Sequence, residues 1–381
     1  MVRRHDKVVN QRDIAPHASL DEADVERFRS ALLAWYRANA RDLPWRATRD
    51  PYAILVSELM LQQTQVATVV PYYQRFLSRF PTVESLAAAH EAEVLTYWAG
   101  LGYYRRARLL LSAAGRIRDV HGGVFPDALK EIRTLPGVGD YTAGAVASFA
   151  FGEASPLVDA NVARVLARVY RLEEPVQTAA SRRLLWRWAG ELLAPDDPRA
   201  FNNALMELGA LVCAPAVPRC ADCPVASVCG ARRAGVEGRL PVLRPAPLRV
   251  ARHFAGIVVA CDGRFLMRRI PPGEWHAGMW EFPKVPCDGP PPRIPAALRR
   301  MLHPVLRGVR PALLRDVGYV VTRHDVTLRL WRADVRTAAC PARGDEFQWA
   351  TRDDALRLPL PSPQKRIVKL LADDSESVGI P

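Results

Sequence analysis

The spacing of apolar residues changes period once along this chain, and that change restricts it to two kinds of folded region. From about Leu20 to Leu211 the apolar residues recur at helical spacing, with almost no period-two alternation. Val25, Phe28, Leu32, Leu33 and Tyr36 share one face of a first helix. Pro51 suits the first turn of a helix through Leu61, and Pro71, Pro81 and Pro126 punctuate later elements. Further helices are expected over 91–98, 105–120, 141–149, 161–170, 180–193 and 201–212. Past residue 252 the pattern predicts strands over 253–260, 265–269, 317–322 and 326–333. Cys261-Asp262-Gly263 forms a hairpin turn in this reading, 288–295 is Pro-rich loop, and a final helix covers 367–371. The expected fold is a mainly α region followed by an α+β domain. Its division is a basic arm over 1–20, a helical domain over 21–230, a Pro- and Arg-rich linker over 231–251, an α+β domain over 252–372 and a disordered tail over 373–381.

Charge narrows the partners. A formal net charge of +13 favours a polyanion, and nucleic acid is the first candidate because phosphate contacts release counterions. No apolar run approaches the ~20 residues of a membrane helix, so no membrane partner is expected. The first twenty residues hold no apolar segment of a secretion signal, which places the chain in the cytoplasm, on the nucleoid if the source is bacterial. Of seven cysteines, four fall together (Cys213, Cys220, Cys223, Cys229), and Cys261, Cys287 and Cys340 are scattered. The odd count and single cluster point to a reducing compartment and a metal site, with the scattered three as core thiols.

Three segments carry chemistry. In LPGVGDYTAGA at 135–145, Gly137 and Gly139 allow close backbone approach, and a glycine turn entering a helix offers free N–H groups to a phosphate. Asp159 stands where an N-cap would, ahead of Val162, Val165, Leu166 and Val169; amide donors there would orient it and keep it ionised. Glu58 is a lone charge among Ile54, Leu55, Val56, Leu59, Met60 and Leu61, and apolar surroundings raise a carboxyl pKa toward that of a useful general acid.

Those segments, with SELMLQQTQVATVVPYY at 57–73, LPWR at 43–46, GLGYYRRAR at 100–108 and FNNALMELGALVC at 201–213 in the same order, resemble the MutY glycosylases of the endonuclease III superfamily. The resemblance implies a helix–hairpin–helix fold of two helical subdomains, and removal of adenine mispaired with 8-oxoguanine or guanine in duplex DNA. It makes Glu58 the acid that protonates adenine N7 and Asp159 the anion that steadies the sugar, with Tyr141 and Asn161 orienting Asp159 and the leaving base. Bifunctional relatives carry a lysine at the place of Tyr141, so a phenol there implies base removal without strand nicking. Some relatives also have a lysine where Ala163 stands here. Gln62, Gln63 and Tyr103 become the wedge that reads the opposite base. Leu43, Trp45, Arg46 and Asn203 join the DNA-binding and base-recognition set, with Asn203 standing where a longer Gln or Glu is more usual.

The spacing Cys213-x6-Cys220-x2-Cys223-x5-Cys229 suits a [4Fe–4S] cluster, as in that superfamily, with zinc as the alternative ligand. The chain from Leu248 resembles the Nudix-like domain of MutY, including GMWEFP at 278–283, but KVPCDGPPPRIP replaces the glutamate run that a Nudix hydrolase needs. The family's Phe-Ser-His loop for 8-oxoguanine corresponds to Val321-Thr322-Arg323, which keeps only a hydroxyl, followed by His324. The enzyme is expected to act as a monomer. Two other readings are a bifunctional endonuclease III-like glycosylase and a non-catalytic iron–sulfur DNA-damage binder.

Overall fold

The structure is a computed structural model that describes residues 19–339 and 346–376, the last five of these by backbone alone. The basic arm up to residue 18, Cys340 and the tail from 377 lie outside the described residues. In chain order the helical part comprises α1 (Glu22–Asn39), α2 (Pro51–Leu61), α3 (Val66–Arg79), α4 (Val83–Ala87), α5 (Glu91–Trp98), α6 (Arg105–His121), α7 (Leu129–Ile132), α8 (Asp140–Phe151), α9 (Ala160–Val169), α10 (Ala179–Leu192), α11 (Pro198–Leu211) and α12 (Gly230–Ala234). The rest comprises β1 (Val250–Cys261), β2 (Arg264–Arg269), β3 (Trp280–Glu281), β4 (Lys284–Cys287), α13 (Ala296–Met301), β5 (Ala312–Val321), β6 (His324–Asp334), β7 (Phe347–Thr351), α14 (Arg352–Arg357) and α15 (Ser362–Glu376).

By contacts the chain divides into two compact units, one holding the residues through Glu58 and 125–245, the other 59–124 and 246 onward. In the first, Phe28 and Leu32 of α1 are buried, and α2 is almost wholly buried from Tyr52 on. Asp21 starts α1 by accepting from the Asp24 N–H, a side-chain cap that satisfies one of the orphan amides of a helix start. The segment expected as linker begins packed: Ala231 and Leu240 are buried with Cys229 in a small apolar cluster.

In the second unit Pro71 does not end a helix; it lies inside α3, correcting the sequence reading. The helix survives because Val69, Tyr73 and Phe76 are buried along one face, and the carbonyl that Pro71 leaves unpaired belongs to exposed Ala67, where water can bond it. The sheet runs β3-β2-β1-β6-β5, with β4 paired to β1 and β7 to β2. Only β1 and β6 run parallel among these pairs. Alternation along β1 sends Ala255, Ile257 and Val259 to one face, against Leu298 and Leu302. Val258 goes to the other face, with Ile367, Val368 and Leu371 of α15. The sheet is therefore covered by helix on both faces.

Candidate active site

Buried helix α2 delivers Glu58, which is 2% exposed. The Tyr141 hydroxyl, from the first turn of α8, donates to Glu58 Oε2 at 2.7 Å. Burial pushes the Glu58 carboxyl up to about 7; the Tyr141 bond and the Arg46 charge oppose this, and Asp159 adds to it. A carboxyl poised there can hold a proton at neutral pH and still release it. Burial also holds the Tyr141 phenol far above its usual range, so it stays a hydrogen-bond donor.

Asp159 caps α9, its Oδ1 accepting from the Val162 N–H at 2.7 Å, while Oδ2 accepts from Asn161 Nδ2 at 3.0 Å. Burial raises its pKa, and the bonds from Val162 and Asn161, which favour the carboxylate as expected, oppose that rise. Asn161 is fixed in turn: its Oδ1 accepts from Arg164 Nη2 at 2.8 Å, and that guanidinium also donates to the Gly209 and Cys213 carbonyls. Gly209 is required there, because a Cβ would meet Asn161 Cβ at 2.7 Å. Asp159 borders a pocket lined also by Arg164, Arg182 and Arg239, cations suited to a polyanion.

Leu43 and Trp45 are packed inside and buried, so the direct DNA contact expected of them is not one their side chains offer. Their short 3₁₀ turn places Arg46 instead, which donates to Glu207 Oε2 at 2.8 Å and to Asn203 Oδ1 at 3.3 Å. Asn203 also donates to the Arg199 carbonyl, so its amide is engaged within the protein. Sequence reasoning missed Glu207, although it lies inside a quoted motif. It is 1% exposed and also receives Arg41. Burial alone would push Glu207 up, but the bonds from Arg41 and Arg46 carry it down to about 2.

The glycine hairpin joins α7 to α8. Val138 N–H bonds the Leu135 carbonyl, Gly137 takes φ +81°, and Gly139 caps α8. The left-handed angle at Gly137 is one that a side chain would resist.

In the second unit, Gln62, Gln63, Tyr103 and Thr322 line one pocket. Gln63, Tyr103 and Thr322 all take positive φ, at 57°, 48° and 52°, which non-glycine residues adopt only when the surrounding structure enforces it. Tyr103 is 48% exposed. Arg106, which sequence reading also overlooked, holds the segments that carry Gln63 and Tyr103. Its buried guanidinium donates to the carbonyls of Leu59, Met60, Gln62, Leu101 and Gly102, and so ties the end of α2 to the turn before Tyr103. Thr322 is at the tip of the β5–β6 turn, and its hydroxyl donates back to the Val321 carbonyl at 2.7 Å. His324 does not line this pocket; its ring packs against Trp275, centroids 4.9 Å apart.

Cys213, Cys220, Cys223 and Cys229 line one small pocket with Arg168, which is buried and donates to Cys213 Sγ at 3.2 Å. Burial pushes the Cys223 thiol up to about 12, so a thiolate there needs a positive partner. Among the described residues no three metal-ligating side chains stand close enough to share a single ion. Four thiols lining one pocket are a donor set that suits an iron–sulfur group.

A model of the HhH-GPD superfamily base excision DNA repair proteins matches residues 56–191, and a NUDIX domain model matches 254–370. A solved thermostable thymine-DNA glycosylase is similar at 32% identity, covering 56% of this chain and 98% of its own, with TM-score 0.52. An endonuclease III–DNA complex, at 21% identity and TM-score 0.50, shares the fold over 57% of this chain and 99% of its own. Fold and site together define a helix–hairpin–helix base excision repair glycosylase, an enzyme that hydrolyses N-glycosyl bonds, followed by a Nudix-like domain. Among named relatives, adenine DNA glycosylase of Mus musculus is 34% identical over 95% of this chain and 81% of its own length. That of Homo sapiens is 47% identical over 61% of this chain, which spans 44% of the human protein. The chain belongs to the adenine DNA glycosylase family. Among the described residues no helix is long and apolar enough to cross a membrane.

Proposed function

We propose that this chain excises adenine mispaired with 8-oxoguanine or guanine in duplex DNA and leaves the strand unbroken. The observation that carries this reading is the Tyr141–Glu58 pair: a buried acid near pKa 7, with Oε2 taken by the phenol and Oε1 left to hold the proton. Adenine is a poor leaving anion, so protonation at N7 by Glu58 weakens the glycosidic bond. The electrons of that bond leave with the base, and positive charge develops on the sugar. Asp159, held by Val162 and Asn161, stabilises that charge. Glu58, now a carboxylate, takes a proton from the water that attacks C1′, which restores the acid. Extrusion of the adenine must come first. Gln62, with Gln63 and Tyr103 in strained backbone, acts as the wedge, Thr322 touches the opposite base, and the amides after Gly137 and Gly139 hold a phosphate. Arg46 and Asn203 back the adenine pocket. No amine stands at Tyr141 to form a Schiff base.

Cys213, Cys220, Cys223 and Cys229 would hold a [4Fe–4S] cluster; bound there, it supplies a rigid clasp for the loop that follows α11. In this reading the protein works as a monomer in the cytoplasm, on DNA, with a helical glycosylase domain over 21–230 and a mismatch-reading domain over 252–372. The test is a duplex with adenine opposite 8-oxoguanine. The expected result is strand cleavage only after alkali, lost in Glu58→Gln. Nicking without alkali would indicate a lyase, and no cleavage at all a non-catalytic binder.

A further inference from the structure

We propose that Trp275 and His276, on the loop between β2 and β3, read the base opposite the adenine, a task that Thr322 alone is poorly equipped to perform. The inference rests on the function proposed above. Both residues line the same pocket as Gln62, Gln63, Tyr103 and Thr322. The Thr322 hydroxyl proton is committed to its own turn, so that side chain can only accept a further bond.

The loop is built to hold its side chains still. Ile270 N–H bonds the Met279 carbonyl and Gly278 N–H bonds the Ile270 carbonyl, both at 2.8 Å, closing the loop at its base. His276 sits at φ +66°, an angle that a residue with a side chain keeps only under constraint, and such constraint gathers where function needs a fixed group. The Tyr104 ring meets His276 edge to face, centroids 5.5 Å apart at 89°. Trp275 leaves 39% of its surface exposed, while its ring rests against Phe254 and against His324, the residue at the start of β6. The loop and the Val321-Thr322-Arg323 turn are thereby braced against each other through the Trp275–His324 contact.

The chemistry of the ligand fits these two groups. Burial, with help from Lys284 and Arg108, holds the His276 imidazole down at about 4, so it is neutral at working pH. A neutral imidazole offers one donor and one acceptor. On its Hoogsteen edge 8-oxoguanine presents an N7–H donor beside an O8 acceptor. Guanine presents an acceptor at N7 and nothing at C8. His276 can therefore bond either group of the oxidised base, while guanine offers no N7–H to its lone pair. The exposed face of Trp275 supplies a stacking surface beside it.

The measurement is single-turnover adenine release by the full chain, with 8-oxoguanine and with guanine opposite the adenine, for wild type, Trp275→Ala, His276→Leu and His276→Gln. Each of Trp275→Ala and His276→Leu should lower the 8-oxoguanine preference about tenfold, the size expected for one lost reading contact. His276→Gln, which keeps a donor and an acceptor, should recover part of it. Equal slowing on both duplexes, or an unaltered preference, would overturn the inference while leaving the proposed function standing. A wild type that releases adenine from neither duplex would overturn both. Trp275 is exposed enough for its substitution to fold, so the test does not depend on the His276 variants alone.

Discussion

The Tyr141 hydroxyl donates to Oε2 of Glu58 at 2.7 Å, inside a helix packing so tight that the carboxyl is 2% exposed. The bond does two opposed things. It orients the acid, and by favouring the carboxylate it limits how far burial can raise the pKa.

Removing the proton carrier should remove catalysis. Glu58→Gln should cost at least 10²–10⁴-fold in single-turnover release, roughly the worth of a general acid, while mismatch binding persists. In the wild type the rate should fall about tenfold per unit above pH 7, as Glu58 loses its proton, and fall again at acid pH as Asp159, whose pKa burial raises, gains one.

The same residue makes a stability prediction of definite sign. Its folded pKa lies above its ordinary value of 4.5, so the folded state binds the proton more tightly. Its favourable contribution is complete below pH 4.5 and is lost as pH rises through 7. At pH 8.5 and above, Glu58→Gln should stabilise the protein by on the order of 3 kcal/mol relative to wild type, read from urea midpoints. Near pH 4 the two should differ little.

Tyr141→Phe deletes the bond that opposes the burial shift. The alkaline limb of the rate profile should move upward by about one pH unit, since a buried bond to a charged group is worth about 1.5–3 kcal/mol. A limb that stays in place would mean that the phenol does not set the acidity of Glu58.

Glu207 carries the opposite linkage. Its folded pKa, about 2, lies below the ordinary value of 4.5, so its contribution is present above 4.5 and is lost as pH falls through 2. Glu207→Gln should cost on the order of 3 kcal/mol at pH 7, with much of the difference gone near pH 2.5. Arg46 would lose its anchor, so adenine release should slow as well.

Arg106→Met strips donors from five buried or partly buried carbonyls. A loss of about 3 kcal/mol is expected from unfolding midpoints, given the cost of orphaned buried acceptors. Faster hydrogen exchange should appear at the Gln62–Gln63 turn, whose strained backbone the guanidinium holds.

Much of this was legible in the chain. The helical period predicted α5 with the bounds it has, and the position of Asp159 ahead of Val162 predicted its cap. Glu58 stood out as a charge among apolar neighbours because a helix buried on every side has no solvent face to give it. What escaped was nonlocal or short. α3 was hidden by Pro71, and the strands β3 and β4 are two and four residues long, too brief for a period to register. Arg106 and Glu207 read as ordinary charges, since nothing near them in sequence reveals that the carbonyls of Leu59, Met60 and Gln62, or the guanidiniums of Arg41 and Arg46, converge on them.

By itself the sequence determined the two fold classes, the order of the motifs, the residue types at positions 58, 159, 213, 220, 223 and 229, and the absence of a lysine at Tyr141, because these depend on residue type and local spacing. Only the tertiary structure decided the ionisation of Glu58, Asp159 and Glu207, and that Leu43 and Trp45 support the site from inside. It alone set the strained turns at Gln63, Tyr103 and Thr322, and the company of Trp275 and His276. Those depend on desolvation and on groups far apart in the chain, and both exist only once the chain has packed.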